Sequence, residues 1–306
     1  MRIRILGSAA GGGLPQWNCR CANCQSARSG SSAVRPRSQS SVAISGDDRH
    51  WFLLNVSADV RGQLAGFENL WPPNGEVRGT SIAGCLLTDA EIDHTSGLLQ
   101  LREGCHFTIF STALVRQWLS EAFPIQTVLA GFADRPWTEL ALEQELELPL
   151  PSGERSGIRV LAFETGRDRP RFVPPDEADL AGSMIGLRIQ DESGAVLVYA
   201  PGVSTIDERL VAATSGAACL LIDGTFWTNE EPIEMGIGQR SSLQMGHLPV
   251  NGPSGSLQWL STLDVEHRAY VHINNTNPML NEQGEAWKQV TGQGIRIAAD
   301  GDEFVL

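Results

Sequence analysis

The apolar positions of this chain fall in short runs, many with a two-residue period, a pattern that predicts strands. Residues 2–6 alternate basic with apolar side chains, a half-exposed first strand. Residues 39–44 and 50–56 predict a strand pair joined by the Gly- and Asp-bearing turn 45–49. Asn55 and Asp59 open a polar loop and a helix, and the Trp71-Pro72-Pro73-Asn74 stretch reads as loop. A central strand follows over 81–87, then a short strand at 108–111 with a helix over 113–121. The leucine-rich acidic segment 140–150 fits either period.

Further along, 157–163, 183–190 and 195–200 predict strands, the last two joined by a hairpin turn at 191–194. The loop 164–182 is rich in Pro and Arg and too polar for a core. Residues 218–223 form a near-continuous apolar run, the mark of a strand covered on both faces. It empties into a glycine-rich loop carrying Trp227 and His247. Residues 268–273 predict a late strand, and 295–298 with 303–306 a final hairpin around Asp300 and Gly301. Strands outnumber helices, with no internal repeat and no linker-like tract, so an α/β sandwich of αββα type with a loop-borne site at one edge fits.

A length of 306 residues suffices for a sizeable core. The net charge of −13 argues against nucleic acid, which needs clustered Lys and Arg. The first residues lack the apolar stretch of a signal peptide, and no run reaches the roughly 20 apolar residues of a membrane span. A cytoplasmic setting is the expectation, in which the six cysteines point to metal or free thiols before disulfides.

Two clusters carry candidate chemistry. At the end of the central strand stand Asp89, Glu91, Asp93 and His94, three carboxylates and an imidazole within six residues. They suit a divalent ion such as iron or manganese, while capping of a helix over 96–102 by Asp93 or Thr95 is the competing reading. Cys19, Cys21 and Cys24 make a C-x-C-x-x-C cluster able to present three sulfurs to one ion, and a closed zinc site wants a fourth ligand.

The phrase LLTDAEIDHTSGL resembles the H-x-H-x-D-H signature of the metallo-β-lactamase superfamily, with Asp89 and Glu91 replacing two histidines. Together with the opening GGG loop, YAPG, LLIDGTFW, MGHLP and VHINNTNP, it is similar to a divergent branch of that superfamily, the B proteins of pyrroloquinoline quinone (PQQ) biosynthesis. The resemblance implies one metallo-β-lactamase-like αββα domain over 1–306, two mixed sheets flanked by helices, with a structural zinc loop at about residues 15–28. The position matching the fourth zinc ligand of related phosphodiesterases is Asn275, a weak ligand for which His247 or water would be the substitutes. No histidine lies between His106 and His247, and Gly202 stands where the bridging aspartate of dinuclear relatives would be, which argues against a close metal pair.

The expectation is therefore that His94, His272 and one carboxylate, Asp93 or Glu91, hold Fe(II). Asp89 is expected to orient a ligand or accept a proton, and His247 to act in acid–base chemistry or substrate orientation. The implied activity is O2-dependent hydroxylation of a tyrosine in the peptide precursor of PQQ. The alternatives are a carrier or export aid for PQQ toward the periplasm and a metal-dependent hydrolase. The implied partners are the precursor peptide or PQQ intermediates, without membrane insertion, and a homodimer is left open. Arg167, Arg169 and Arg171 are candidates for pairing with substrate carboxylates or for solvated loop charge, and His50, His106 and His267 are expected to be structural or surface residues.

Overall fold

Fourteen strands in two sheets carry the computed structural model, which describes residues 1–103, 105–133, 135–175 and 179–306. In chain order they are β1 (Arg2–Gly7), β2 (Ser41–Ser45), β3 (Trp51–Leu54), β4 (Ile82–Leu86), β5 (Thr108–Ser111), β6 (Trp137–Glu139) and β7 (Glu145–Pro149). There follow β8 (Arg155–Gly166), β9 (Met184–Gln190), β10 (Val196–Ala200), β11 (Cys219–Asp223), β12 (His267–Val271), β13 (Arg296–Ile297) and β14 (Glu303–Val305). One sheet has the order β14-β1-β2-β3-β4-β5-β6, the other β13-β12-β11-β10-β9-β8-β7. Both are mixed. β3 to β6 and β10 to β13 run parallel, and the remaining neighbours run antiparallel.

The near-continuous apolar strands follow from a four-layer arrangement. β2, β4, β10 and β11 are buried along their whole length because each face meets a different core. In β10, Leu197 and Tyr199 enter the layer between the sheets, while Val196, Val198 and Ala200 pack outward. β11 divides likewise, with Leu221 inward and Leu220 and Ile222 outward. Helices Glu208–Thr214, Ser256–Thr262 and Glu285–Thr291 cover one outer face, and Val60–Ala65, Ala113–Glu121 and Ile125–Ala130 cover the other. This is the metallo-β-lactamase αββα architecture, and no helix among the described residues is long and apolar enough to cross a membrane.

Several expectations change. The final hairpin does not form: β13 extends the parallel run beside β12, and β14 covers the edge of β1 in the other sheet. The turn between them is pinned by Asp300, whose carboxylate accepts from Ser8 N (3.0 Å) and Ser38 N (2.6 Å) as well as both hydroxyls, so the chain crosses between sheets. The ambiguous 140–150 segment contains β7. Helix Ala22–Arg28 emerges from the cysteine loop, and helices Glu231–Glu234 and Ser256–Thr262 from the loop after β11. Of the loop 164–182, residues 176–178 lie outside the described residues.

Candidate metal centre

The site begins where β4 ends. Asn55, held at a left-handed φ of 59°, receives Thr88 N at its Oδ1 (2.9 Å) and donates to Thr88 Oγ1 (2.8 Å), fixing the second residue beyond β4. Thr88 Oγ1 lies 2.8 Å from Asp89 Oδ2, and Asp89 Oδ1 accepts Glu91 N at 2.9 Å. The short helix Ile92–Thr95 then turns Asp93 and His94 back toward the strand end. Neither Glu91 nor Thr95 makes a side-chain cap bond, and Asp93 lies inside the helical turn, so the acids do not cap this helix or the 3-10 turn Ser96–Leu101. His94 Nδ1 donates to Asp89 at 2.9 and 2.8 Å from its two oxygens, while His94 Nε2 is buried and has no hydrogen-bond partner.

The other half comes from the second sheet. Parallel pairing sets Asp223, at the end of β11, opposite Val271, so the residue after β12, His272, arrives beside it. Asp223 is buried; its Oδ1 accepts Thr225 N (3.0 Å) and Thr225 Oγ1 (2.6 Å), and its Oδ2 accepts Val203 N (3.0 Å) and His247 Nδ1 (2.8 Å). Having donated to Asp223, Thr225 Oγ1 is free to accept from His272 Nδ1 at 2.8 Å. Each of the three histidines thus has its Nδ1 fixed by an oxygen, which leaves Nε2 as the available nitrogen, the arrangement usual for metal-bound imidazoles.

The rings gather closely. His94 and His272 have centroids 4.8 Å apart, and His247 stacks on His272 at 5.3 Å. His272 Nε2 lies 3.2 Å from Asp93 Oδ2, and ligand atoms of Asp93, His94 and His272 all fall within 4.8 Å of one another. Asp223, His247 and His272 form a second such group. Burial disfavours a charged His94, yet Asp89 and Asp93 outweigh it and hold the ring at about 9. Burial likewise opposes ionised Asp93, but His94 and His272 keep its pKa low. A buried, unpartnered imidazole nitrogen beside an ionised carboxylate is what a divalent cation would satisfy. The donors therefore fit a metal ion.

The cysteine loop closes against the same end of β12. Cys21 precedes helix Ala22–Arg28 and accepts Cys24 N, and the three sulfurs of Cys19, Cys21 and Cys24 lie within 4.8 Å of one another. Asn275 Nδ2 faces all three, at 3.1, 3.5 and 3.3 Å. Burial first, then the Cys21 sulfur, pushes Cys24 up to about 11, so its thiolate calls for a cation beside it. Turning the Asn275 amide about its last torsion would present Oδ1 instead, so the set fits zinc with an oxygen as fourth ligand.

The Beta-lactamase superfamily domain matches residues 50–273. Coenzyme PQQ synthesis protein B of Pseudomonas putida (strain W619) is 41% identical over 100% of both chains. The Zn(2+)-bound PqqB from Methylobacterium extorquens superposes with a TM-score of 0.91 at 36% identity, again over 100% of each chain. This chain belongs to the coenzyme PQQ synthesis protein B family. A diphosphatase of the PhnP family, 18% identical with a TM-score of 0.65 over 100% of this chain and 97% of its own, shares the fold.

In this PQQ synthesis protein B family member, ligand atoms of Asp93, His94 and His272 come together, with Asp89 behind His94. Glu91 lies outside that group of ligand atoms, at the exposed rim of a cleft of about 790 Å³ that opens over the site. Desolvation in the cleft, then Asp89 and Asp93, raise its carboxyl to about 7. His247 pairs with Asp223 and does not serve the cysteine cluster, where Asn275 stands instead. Arg167 is bound to Glu164, whereas Arg169 and Arg171 line the cleft. His50 pairs with Asp47 on the surface, and His267 lies against Phe304. Asp223 and Thr225 were missed from sequence; the available signal was the repeated plan of an apolar strand ending in an acid, as at Asp89.

Proposed function

We propose that this chain acts in PQQ biosynthesis as an Fe(II)- and O2-dependent hydroxylase of a tyrosine in the peptide precursor, with a structural zinc on Cys19, Cys21, Cys24 and Asn275. The observation that carries this reading is the convergence of His94 Nε2, His272 Nε2 and the Asp93 carboxylate beneath an open cleft. Two imidazoles and one carboxylate on one side of an ion leave the opposite positions for O2 and substrate, the ligand set of non-haem iron oxygenases. A bound ferrous ion would supply oxygen activation next to the substrate.

The chain's own residues set up the rest. Asp89 and Thr225 hold His94 and His272 with Nε2 toward the cleft, so metal binding requires little reorganisation. With both Asp89 oxygens already engaged, Glu91 is the better-placed acceptor for a phenolic proton, since its carboxyl is raised to about 7 and it lines the cleft. His247, whose pKa Asp223 raises against its burial, lines the cleft with Nδ1 held by Asp223, which leaves Nε2 to hydrogen-bond a substrate oxygen.

The test is anaerobic loading with Fe(II), followed by oxygen, a two-electron reductant and a tyrosine-containing precursor peptide. Mass spectrometry should find product heavier by one oxygen atom, absent in His94→Ala. Unchanged peptide with iron, manganese and zinc alike would rule the hydroxylase out. Tight metal-independent binding of the finished quinone, indifferent to His94→Ala, would then point to a carrier.

A further inference from the structure

The wall of the cleft formed by the loop after β8 holds three arginines whose side chains are spent differently. Arg167 Nε binds Glu164 at 3.0 Å, and Arg240, from the loop after β11, binds Asp168 Oδ2 at 3.2 Å. Arg169 and Arg171 both line the cleft, yet among the described residues neither guanidinium has an ion pair or side-chain hydrogen bond. The chain carries 36 acidic against 23 basic residues, so two nearby arginines without an acidic partner among the described residues, beside the candidate metal centre, are a feature of that cleft.

Their loop is built into the scaffold. Glu164 ties its two ends together, accepting from Arg167 and Arg209 on one oxygen and from Gly182 N on the other. Val173 is buried in the core under the first sheet, and Phe172 packs on Phe123 with centroids 5.5 Å apart. Pro170, buried, and the 2.9 Å turn bond from Val173 N to Pro170 O fix the chain around Arg171. The guanidinium groups therefore stand on an anchored wall, with less ordering entropy to lose on binding.

We infer that Arg169 and Arg171 are substrate-positioning residues that pair with a carboxylate of the substrate. The cleft carries both signs of charge, with Asp89, Glu91 and Asp93 from the metal-side loop and these two cations from the loop after β8, while Ile92, Phe172 and Phe226 add apolar lining. A planar monoanionic carboxylate matches the guanidinium fork, whereas a phosphate dianion would meet the acidic rim and Asp168 with twice the charge. An acid carrying an aromatic or apolar body would thus be held with its carboxylate away from the acids and its body toward His94 and His272. This assignment rests on the reading of the cleft as the substrate site.

The experiment is calorimetric titration of the full chain, its structural zinc retained and the active-site ion left out, with benzene-1,3-dicarboxylate, its diamide and phenyl phosphate. The dicarboxylate should bind about tenfold or more tighter than the diamide and than phenyl phosphate. Arg169→Ala and Arg171→Ala should each weaken it by about tenfold, and Arg171→Lys by less. Arg155→Ala removes one equal charge from a distant exposed pair with Glu147 and should leave binding unchanged. Equal loss in Arg155→Ala, unchanged binding in the double variant, no dicarboxylate binding to the unaltered protein, or preference for phenyl phosphate would overturn the assignment. In turnover, the double variant should raise KM with little change in kcat. Product formation with an unchanged KM sinks the carboxylate reading alone, while arginine-dependent binding with no hydroxylated product sinks the oxygenase reading alone.

Discussion

Asp89 grips His94 through both carboxylate oxygens, 2.9 and 2.8 Å from Nδ1, and so decides which nitrogen the ring can offer. Replacing it with alanine removes the acceptor and the negative charge that makes the imidazole a stronger base. Asp89→Ala should weaken active-site metal binding by about 10- to 100-fold with the fold retained. Competition against a chelator, with circular dichroism as the fold control, measures this. Asp89→Asn, which keeps an acceptor but not the charge, should fall between.

The same pair sets a pH dependence. Because His94 is held at about 9, its ring is protonated at neutral pH when no cation is present, and a metal must displace that proton. Apparent affinity should rise by about tenfold per pH unit up to about 9 and then level off, with close to one proton released per ion bound at pH 7. Titration in buffers of different ionisation enthalpy counts the proton. In Asp89→Ala the plateau should begin at lower pH, because the charge that raises the ring is gone.

Asn275 is the test of the cysteine site. Cys24→Ser removes one of three sulfurs and should lower the melting temperature and release zinc, since structural zinc contributes folding free energy. Asn275→His would put a strong ligand at the position facing all three sulfurs, and should slow zinc loss to a chelator without changing the active-site metal content. An unchanged rate would place the fourth ligand elsewhere.

How far the chain could be read in advance follows from which contacts are local. Asp89 to His94 lie within six residues, so their joint chemistry shows in the sequence, and His272 stands out as a histidine just past an apolar strand. Asp223 was hidden because a single acid before Gly224-Thr225 looks like an ordinary turn; its role appears only when β10 and β12 flank it and bring Val203, His247 and His272 to its oxygens. The last two strands misled for a related reason. Their spacing is that of a hairpin, but their partners β12 and β1 are set by the sheet edges and by Asp300 reaching Ser8 and Ser38 nearly 300 and over 260 positions away. Helix Ala22–Arg28 carries its cysteine inward, so the metal pattern masked the helical one.

Glu164 provides a prediction on stability that is separate from any metal. It is 7% exposed, and burial alone would raise its carboxyl; Arg167, Gly182 N and Arg209 more than reverse this, leaving it below the usual carboxylate value. A depressed folded-state pKa contributes stability that is complete above the unfolded value of 4.5 and is lost as pH falls through the folded one. Glu164→Gln should therefore cost about 1–2 kcal/mol at neutral pH and flatten the decline in stability that in the parent begins below about pH 4.5 and ends once pH has passed the lower folded-state value. Chemical denaturation across pH 3–7, an interval on the order of the carboxylate range, measures both. Because Glu164 also closes the loop bearing Arg169 and Arg171, the variant should raise KM for an anionic substrate even where it stays fully folded, a second readout that general destabilisation would not give.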